Sequence, residues 1–185
     1  MHMPATLRQA NLVGAFALEV VDRLRAAIVR DGERSFSTAA ALIHVRLRPG
    51  ESIGFLGGVL GISHPASVRL VDRLEREGLL DRLSGADGRS CALHLTSAGL
   101  AAAEEALQRR AHTLEEVLAP LSRSERQTFA ALVGKLLAAG ANERGRARHT
   151  CRLCDFPACA RPCCPIDAAL GDAGSIRVAP VAPVG

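Results

Sequence analysis

The sequence predicts a mainly α-helical fold with one small β-hairpin. Three observations carry that expectation. Apolar residues recur at three-to-four-residue spacing over long stretches near both chain ends, from Leu7 to Arg30 and from Thr96 to Ala141. Between them, Gly61 stops one helix, Ser63 is a good N-cap for the next, and Pro65 falls in the first turn, where its missing N–H is harmless. Leu79 to Leu83 and Ser90 to Thr96 then alternate as strands around the turn-rich Ser84-Gly85-Ala86-Asp87-Gly88-Arg89.

Taken in order, Leu7 to Arg30 is an amphipathic helix with Leu12, Val13, Phe16, Val20, Leu24, Ala27 and Ile28 on one broad stripe, closed by Asp31-Gly32. A second helix, Ser37 to Leu47, stops at Arg48-Pro49-Gly50. Ser52 to Leu60 forms the third, with Ile53, Leu56, Val59 and Leu60 inward. Its Gly54, Gly57 and Gly58 each weaken a helix by about 1 kcal/mol relative to Ala, so it should be soft. These glycines lack the Lys-Ser/Thr of a phosphate loop and the spacing of a dinucleotide-binding turn.

The fourth helix runs from Ser63 to Glu77 and ends at Gly78, with Val68, Val71, Leu74 and Leu79 inward and His64, Ser67, Arg69, Arg73 and Arg76 mostly on the opposite side. Such a helix after a tight turn is the second helix of a helix-turn-helix, whose N-terminal side chains can reach base edges in the major groove. A hairpin tip carrying Arg89 can follow the backbone or enter a narrowed minor groove. The two together make a winged helix-turn-helix.

The run I-S-x-x-x-S-V-x-R-L-V-D-R-L-E-x-x-G-L-L-D-R from Ile62, then A-D-G-R-S and L-x-L-T-S-A-G, resembles the MarR family of transcriptional regulators over about Leu7 to Ala141. The resemblance implies a homodimer, a recognition helix at Ser63 to Glu77, and a wing on which Asp87 orients Arg89 for DNA. It also implies a possible small-molecule effector, since family members often bind phenolic ligands between the dimer region and the winged part. The chain departs from the family pattern at Gly54, Gly57, Gly58 and Gly61. The expected DNA-binding set is Ser63, His64, Pro65, Ser67, Arg69, Arg73, Asp87 and Arg89.

After the wing, Thr96 caps a helix to about Leu118, with Leu100, Leu107, Leu114 and Leu121 at seven-residue intervals and Ala103, Ala111 and Leu118 between them. Pro120 breaks it, and Ser122-Arg123-Ser124-Glu125 is a capping box opening a last helix through Phe129, Leu132, Val133, Leu136 and Leu137 to Gly140. Stripes this long exceed what one small core buries, so the two chain ends should pair across a two-fold axis. The expected organisation is residues 1–142 as the winged domain, with dimerisation helices at 7–30 and 97–141 and the DNA-binding part at 37–96. Residues 143–166 follow as a cysteine-rich segment, and 167–185 as a disordered tail rich in Gly, Ala, Pro and Val.

Charge alone does not point to nucleic acid. The net charge is +4, but Arg144 to Arg161 holds five Arg and one acid, leaving 18 basic and 18 acidic residues elsewhere. The placement of Arg69, Arg73 and Arg89 carries the inference. With no Trp or Tyr, base stacking on aromatic platforms is poorly supported, and double-stranded DNA is the better partner. No apolar run approaches a membrane span, and Leu12 to Val21 is too short and too interrupted, by Glu19, for a signal peptide, so the expectation is cytoplasmic.

Five of six cysteines fall between Cys151 and Cys164, while Cys91 reads as a core residue beside Leu93 and Leu95. Zinc on four thiolates is one reading, although only four residues separate Cys154 from Cys159. A compact run ending in Cys164-Pro165 suits an iron–sulfur cluster, which the sequence favours slightly over zinc. Redox thiols come third, because Cys151-x-x-Cys154 lacks a thioredoxin-like context. Arg148, Arg152 and Arg161 would favour ionised thiols. The expected ligands are Cys151, Cys154, Cys159 and Cys164, with Cys163 as the alternative.

No catalytic constellation is present in this reading, and an enzyme is not expected. The function expected is sequence-specific DNA binding as a transcriptional regulator, most simply a repressor, with metal or redox sensing through the cysteines. The competing class is an iron–sulfur or thiol-redox protein using the winged domain as a dimer scaffold. A winged helix used only for protein contacts is a third.

Overall fold

A computed structural model of the chain describes residues 3–29, 35–84, 91–141, 144–159 and 164–170. Among them the order is α1 (Met3–Ile28), α2 (Phe36–Leu47), α3 (Ile53–Leu60), α4 (His64–Arg76), β1 (Leu80–Ser84), β2 (Cys91–Leu95), α5 (Ser97–Leu118), α6 (Arg123–Ala139), α7 (Arg144–Thr150), α8 (Phe156–Cys159) and α9 (Pro165–Leu170). The mainly helical class with one hairpin is thus as the sequence predicts.

Local chemistry sets most boundaries. Ser35, Ser52 and Thr96 each accept a hydrogen bond from the backbone N–H three residues on, at 3.2, 3.2 and 3.1 Å, which satisfies a donor no helical carbonyl can reach. The capping box at Ser122 is complete, with Glu125 returning to the Ser122 N–H at 2.8 Å. The strands pair antiparallel with Leu80 opposite Leu95 and Ser84 opposite Cys91. The outer edge of β2 is partly closed by Gly50 and Glu51, whose backbones exchange hydrogen bonds with Leu93 at 2.8 and 3.1 Å. The chain stop after α2 therefore also braces the hairpin.

The main core joins Leu42 and Val45 of α2, Leu56 and Leu60 of α3, Leu70, Val71 and Leu74 of α4, Leu80 and Leu93 of the hairpin, and Ala102 and Ala103 of α5. Two expectations need correction here. On α4, Leu70 rather than Val68 is buried, and Val68 is only half-buried. On α5 the leucines of the heptad stripe are half-buried, and the buried positions are Gly99, Ala102, Ala103, Ala106 and Thr113. Small side chains there let α5 approach the Ala39-Ala40-Ala41 run of α2 closely.

Much of the α1 stripe stays outside the core. Leu12, Val13 and Phe16 are exposed, and among the described residues of α6 none is buried, with Leu132 and Leu136 57% and 67% exposed. Phe16 meets Phe129 edge-on at 5.7 Å, so the two apolar faces adjoin in one broad surface. Apolar patches of this kind mark interaction sites.

The cysteine-rich segment is helical in part, and helix runs into the expected tail. It forms α7, α8 and α9, and α9 extends through residues expected to start the disordered tail. Ile166 is 3% exposed, and α9 packs on α6, with Pro165 beside Gly134. Burial of Ile166 against a neighbouring helix is what orders the start of that segment. No described helix is long and apolar enough to cross a membrane.

Candidate nucleic-acid interface and the cysteine segment

The helix-turn-helix is α3 and α4, crossed closely at Gly57 and Ser67. A Cβ on Gly57 would stand 2.3 Å from Ser67 Oγ, so this position has room for a hydrogen only. Ser67 is fully buried and its hydroxyl donates to the Ser63 carbonyl at 3.0 Å. This corrects the expectation that Ser67 faces DNA: the close approach of α3 turns it into the packing hinge between the two helices. Gly61 adopts φ +67°, the left-handed conformation that ends α3 and starts the turn.

The remaining N-terminal positions of α4 are open. Ser63, His64, Pro65 and Arg69 are exposed. The Ser63 side chain makes no capping hydrogen bond, unlike the other described serine caps, so its hydroxyl faces outward unspent. Arg69 forms no ion pair with any described residue and shares a helix face with Pro65, four residues earlier. Anionic or polar groups meeting this end would also find the exposed N–H groups of the first turn.

Arg73 is placed differently. Its Nη2 donates to Thr38 Oγ1 at 2.8 Å and its Nε lies 3.9 Å from Glu77, so it ties α4 to the first turn of α2. Arg73, expected at the DNA, thus also braces α4 against α2, with its side chain still 41% exposed. A second strut runs from β1: Arg82 donates to Asp72 and approaches Glu75 at 3.5 Å. Asp72 and Glu75 of α4 thus pair with the hairpin. Asp87 and Arg89, at the wing tip, lie outside the described residues.

Between α1, α2 and α5, beside Ile28, Ala39, Leu42, Ala106 and Arg109, the enclosed space is about 20 Å³.

Cys151 and Cys154 lie near enough to shift each other's ionisation, as Cys164 does that of Cys159. The Cys154 thiol is drawn down to about 6 by the hydrogen bond from Cys151, with Arg110 of α5 assisting against its burial. Cys151, the donor of that pair, is pushed far above the ordinary thiol range, with burial adding to the effect. Burial, then Cys164 and Cys154, raise Cys159 to about 11. All five described cysteines are free thiols, and Cys163 lies outside the described residues. Among the described residues no three His, Cys, Asp or Glu side chains are already arranged to hold a metal ion.

Two contributors were not legible as site residues in the sequence. His149 lies against α3, with its Nδ1 3.0 Å from the Val59 carbonyl and its ring where a Cβ on Gly61 would be, at 2.9 Å. Buried His44 stacks on Phe55 at 5.6 Å, and Arg148 of α7 sits over the same ring at 4.7 Å. Burial first, then Arg48 and Arg148, lower His44 to about 4. The one sequence signal for the α7 contact is the excess of glycine at the end of α3.

Residues 35–90 match the family model described as MarR family. Solved structures with similar folds include a MarR family protein from Bacillus stearothermophilus, at TM-score 0.64 and 24% identity, over 74% of this chain and 95% of that one. Apo wild-type MarR from E. coli gives 0.59 and 25%, over 69% and 96%. MepR, a transcription regulator of the Staphylococcus aureus multidrug efflux pump MepA, gives 0.62 and 18%, over 70% and 96%.

Proposed function

We propose that this protein, whose winged helix-turn-helix is of the MarR family, is a sequence-specific double-stranded-DNA-binding regulator that represses transcription as a homodimer and responds to metal or redox state through its C-terminal thiols. The observation that carries the reading is the state of α4. Its inner face is locked by Leu70, Val71 and Leu74, while Ser63, His64, Pro65 and Arg69 stand exposed at its N-terminal end. A rigid helix presenting polar side chains and unpaired N–H groups is what major-groove readout requires.

The exposed apolar faces of α1 and α6 support the homodimer, because a second copy would cover them and set two recognition helices on one duplex. Repression follows most simply from such a dimer occupying promoter DNA. The clustering of five cysteines between Cys151 and Cys164 supports sensing, since thiol ionisation and ligation are sensitive to metal and oxidant.

Selection from a random duplex pool tests the reading. Enriched sites should be inverted repeats with half-sites about one helical turn apart. A pool that shows no enrichment, or sites without two-fold symmetry, would contradict it.

A further inference from the structure

We propose that α7 is an accessory DNA-contacting element, docked at the turn of the helix-turn-helix so that Arg146 meets a backbone phosphate of the duplex beside the recognition helix. The contact deepens the regulator reading and rests on it, adding to α4 and the wing a third place where the chain touches DNA.

The segment lies where such a contact needs it. α7 packs on α3, and its C-terminal end reaches the turn that leads into α4. His149 Nδ1 is 3.0 Å from the Val59 carbonyl, and the His149 ring stands 2.9 Å from where a Cβ on Gly61 would be. Gly61 adopts φ +67° two residues before Ser63, the N-cap of the recognition helix. A side chain at Gly61 would be strained and would strike the ring, so the glycine serves both the turn and the docking. Arg148 secures the same pair of helices by lying over Phe55 of α3 at 4.7 Å. In this motif the first helix crosses the DNA backbone while the second enters the groove. An element fixed at their junction therefore stands beside phosphates.

The arginines of this region are sorted by role. Arg148 is spent on Phe55, and Arg152 is turned inward, donating to the His149 carbonyl at 2.6 Å and lying over Phe36 at 6.0 Å. Arg146 is exposed and forms no ion pair with any described residue. It precedes His149 by three residues, so the two share a face of α7, separated by roughly 4.5 Å of helix rise. An arginine side chain spans that distance, which brings its guanidinium within reach of what lies against the turn.

The charge of the chain is concentrated in the same place. Arg144 to Arg161 holds five Arg and one acid, while the remainder has 18 basic and 18 acidic residues. Affinity for a duplex comes largely from phosphates neutralised and counterions released. The remainder of the chain has no surplus of positive charge to give, and α7 carries part of the surplus to the end of the molecule where Ser63, His64 and Arg69 are exposed. A polyanion is the complementary partner, and its position beside α4 makes it the same duplex.

The test uses the full chain and measures affinity across a salt series, for a mixed-sequence duplex and for one selected from a random pool. Thermal midpoints of each variant check the fold. Arg146→Ala should weaken both duplexes by the same factor and make the slope of log affinity against log salt shallower by about one unit. Arg146→Lys, which keeps the charge, should keep the slope. His149→Ala should lose the same unit by freeing α7 from the turn, and the double variant should lose no more than either alone. An unchanged slope in Arg146→Ala, with the unaltered chain binding, overturns the contact and leaves the regulator reading standing. Additive losses in the double variant overturn His149 as the residue that positions Arg146. Tighter binding by either alanine variant would mean that α7 covers the DNA-facing end, and overturns the proposal. Failure of the unaltered chain to bind either duplex at any salt overturns the regulator reading, and the contact with it.

Discussion

The winged domain and the cysteine segment solve the same problem with very different means. Between α2 and α5 the chain encloses Leu42, Leu56, Val71, Leu74, Leu80 and Leu93 to the point of full burial. The segment after α6 encloses Ala147, Cys164 and Ile166. The first is a core that fixes helices by area removed from water; the second is a small apolar cluster with far less area to bury. The difference separates a part held rigidly by its own core from a part whose local stability should be low.

Core truncation should expose the contrast most strongly. Leu74→Ala removes a fully buried side chain of α4 and should destabilise global unfolding by about 2–5 kcal/mol in a denaturant titration. Ile166→Ala should leave the main unfolding midpoint nearly unchanged and instead admit limited proteolysis after residue 140. A large midpoint shift from Ile166→Ala would mean that the two regions unfold as one unit.

Acid should act where the regions touch. His44 is buried against Phe55, between Arg48 and Arg148, with its pKa lowered from 6.5 to about 4. The unfolded chain binds this proton near 6.5 and the folded chain only near 4, so stability is complete above pH 6.5 and falls progressively toward pH 4. The loss is on the order of 3 kcal/mol, at roughly 1.4 kcal/mol per pKa unit. Urea midpoints measured from pH 7 to pH 4 check it, and His44→Leu should flatten that slope.

The smallest effect belongs to the wing. Arg89→Ala should reduce the slope of log affinity against log salt by about one unit, the signature of one lost phosphate contact. An unchanged slope would detach the wing tip from DNA and leave α4 as the sole reader.

The parts of this architecture that were legible in sequence are those written in local patterns. Ser63, Pro65 and Gly78 bound α4, and Ser122 with Glu125 opens α6, because capping and backbone conformation are local chemistry. Ser67 was misplaced because its role is set by a partner elsewhere in the chain: Gly57 lets α3 close over it. The tie of Arg73 to Thr38 was hidden for the same reason. The docking of α7 on α3 was not legible either, since three short helices carry little periodic signal and the glycines that accommodate them look only like weakness.

The central claim is that the exposed N-terminal end of α4 reads bases. Its most direct test is selection of duplex sites by Arg69→Ala beside the unaltered chain. The account predicts relaxed preference at one symmetric base position and about 1–3 kcal/mol lost on the best site. A uniform loss across all sequences, with the preferred site unchanged, would make Arg69 a backbone contact and contradict it.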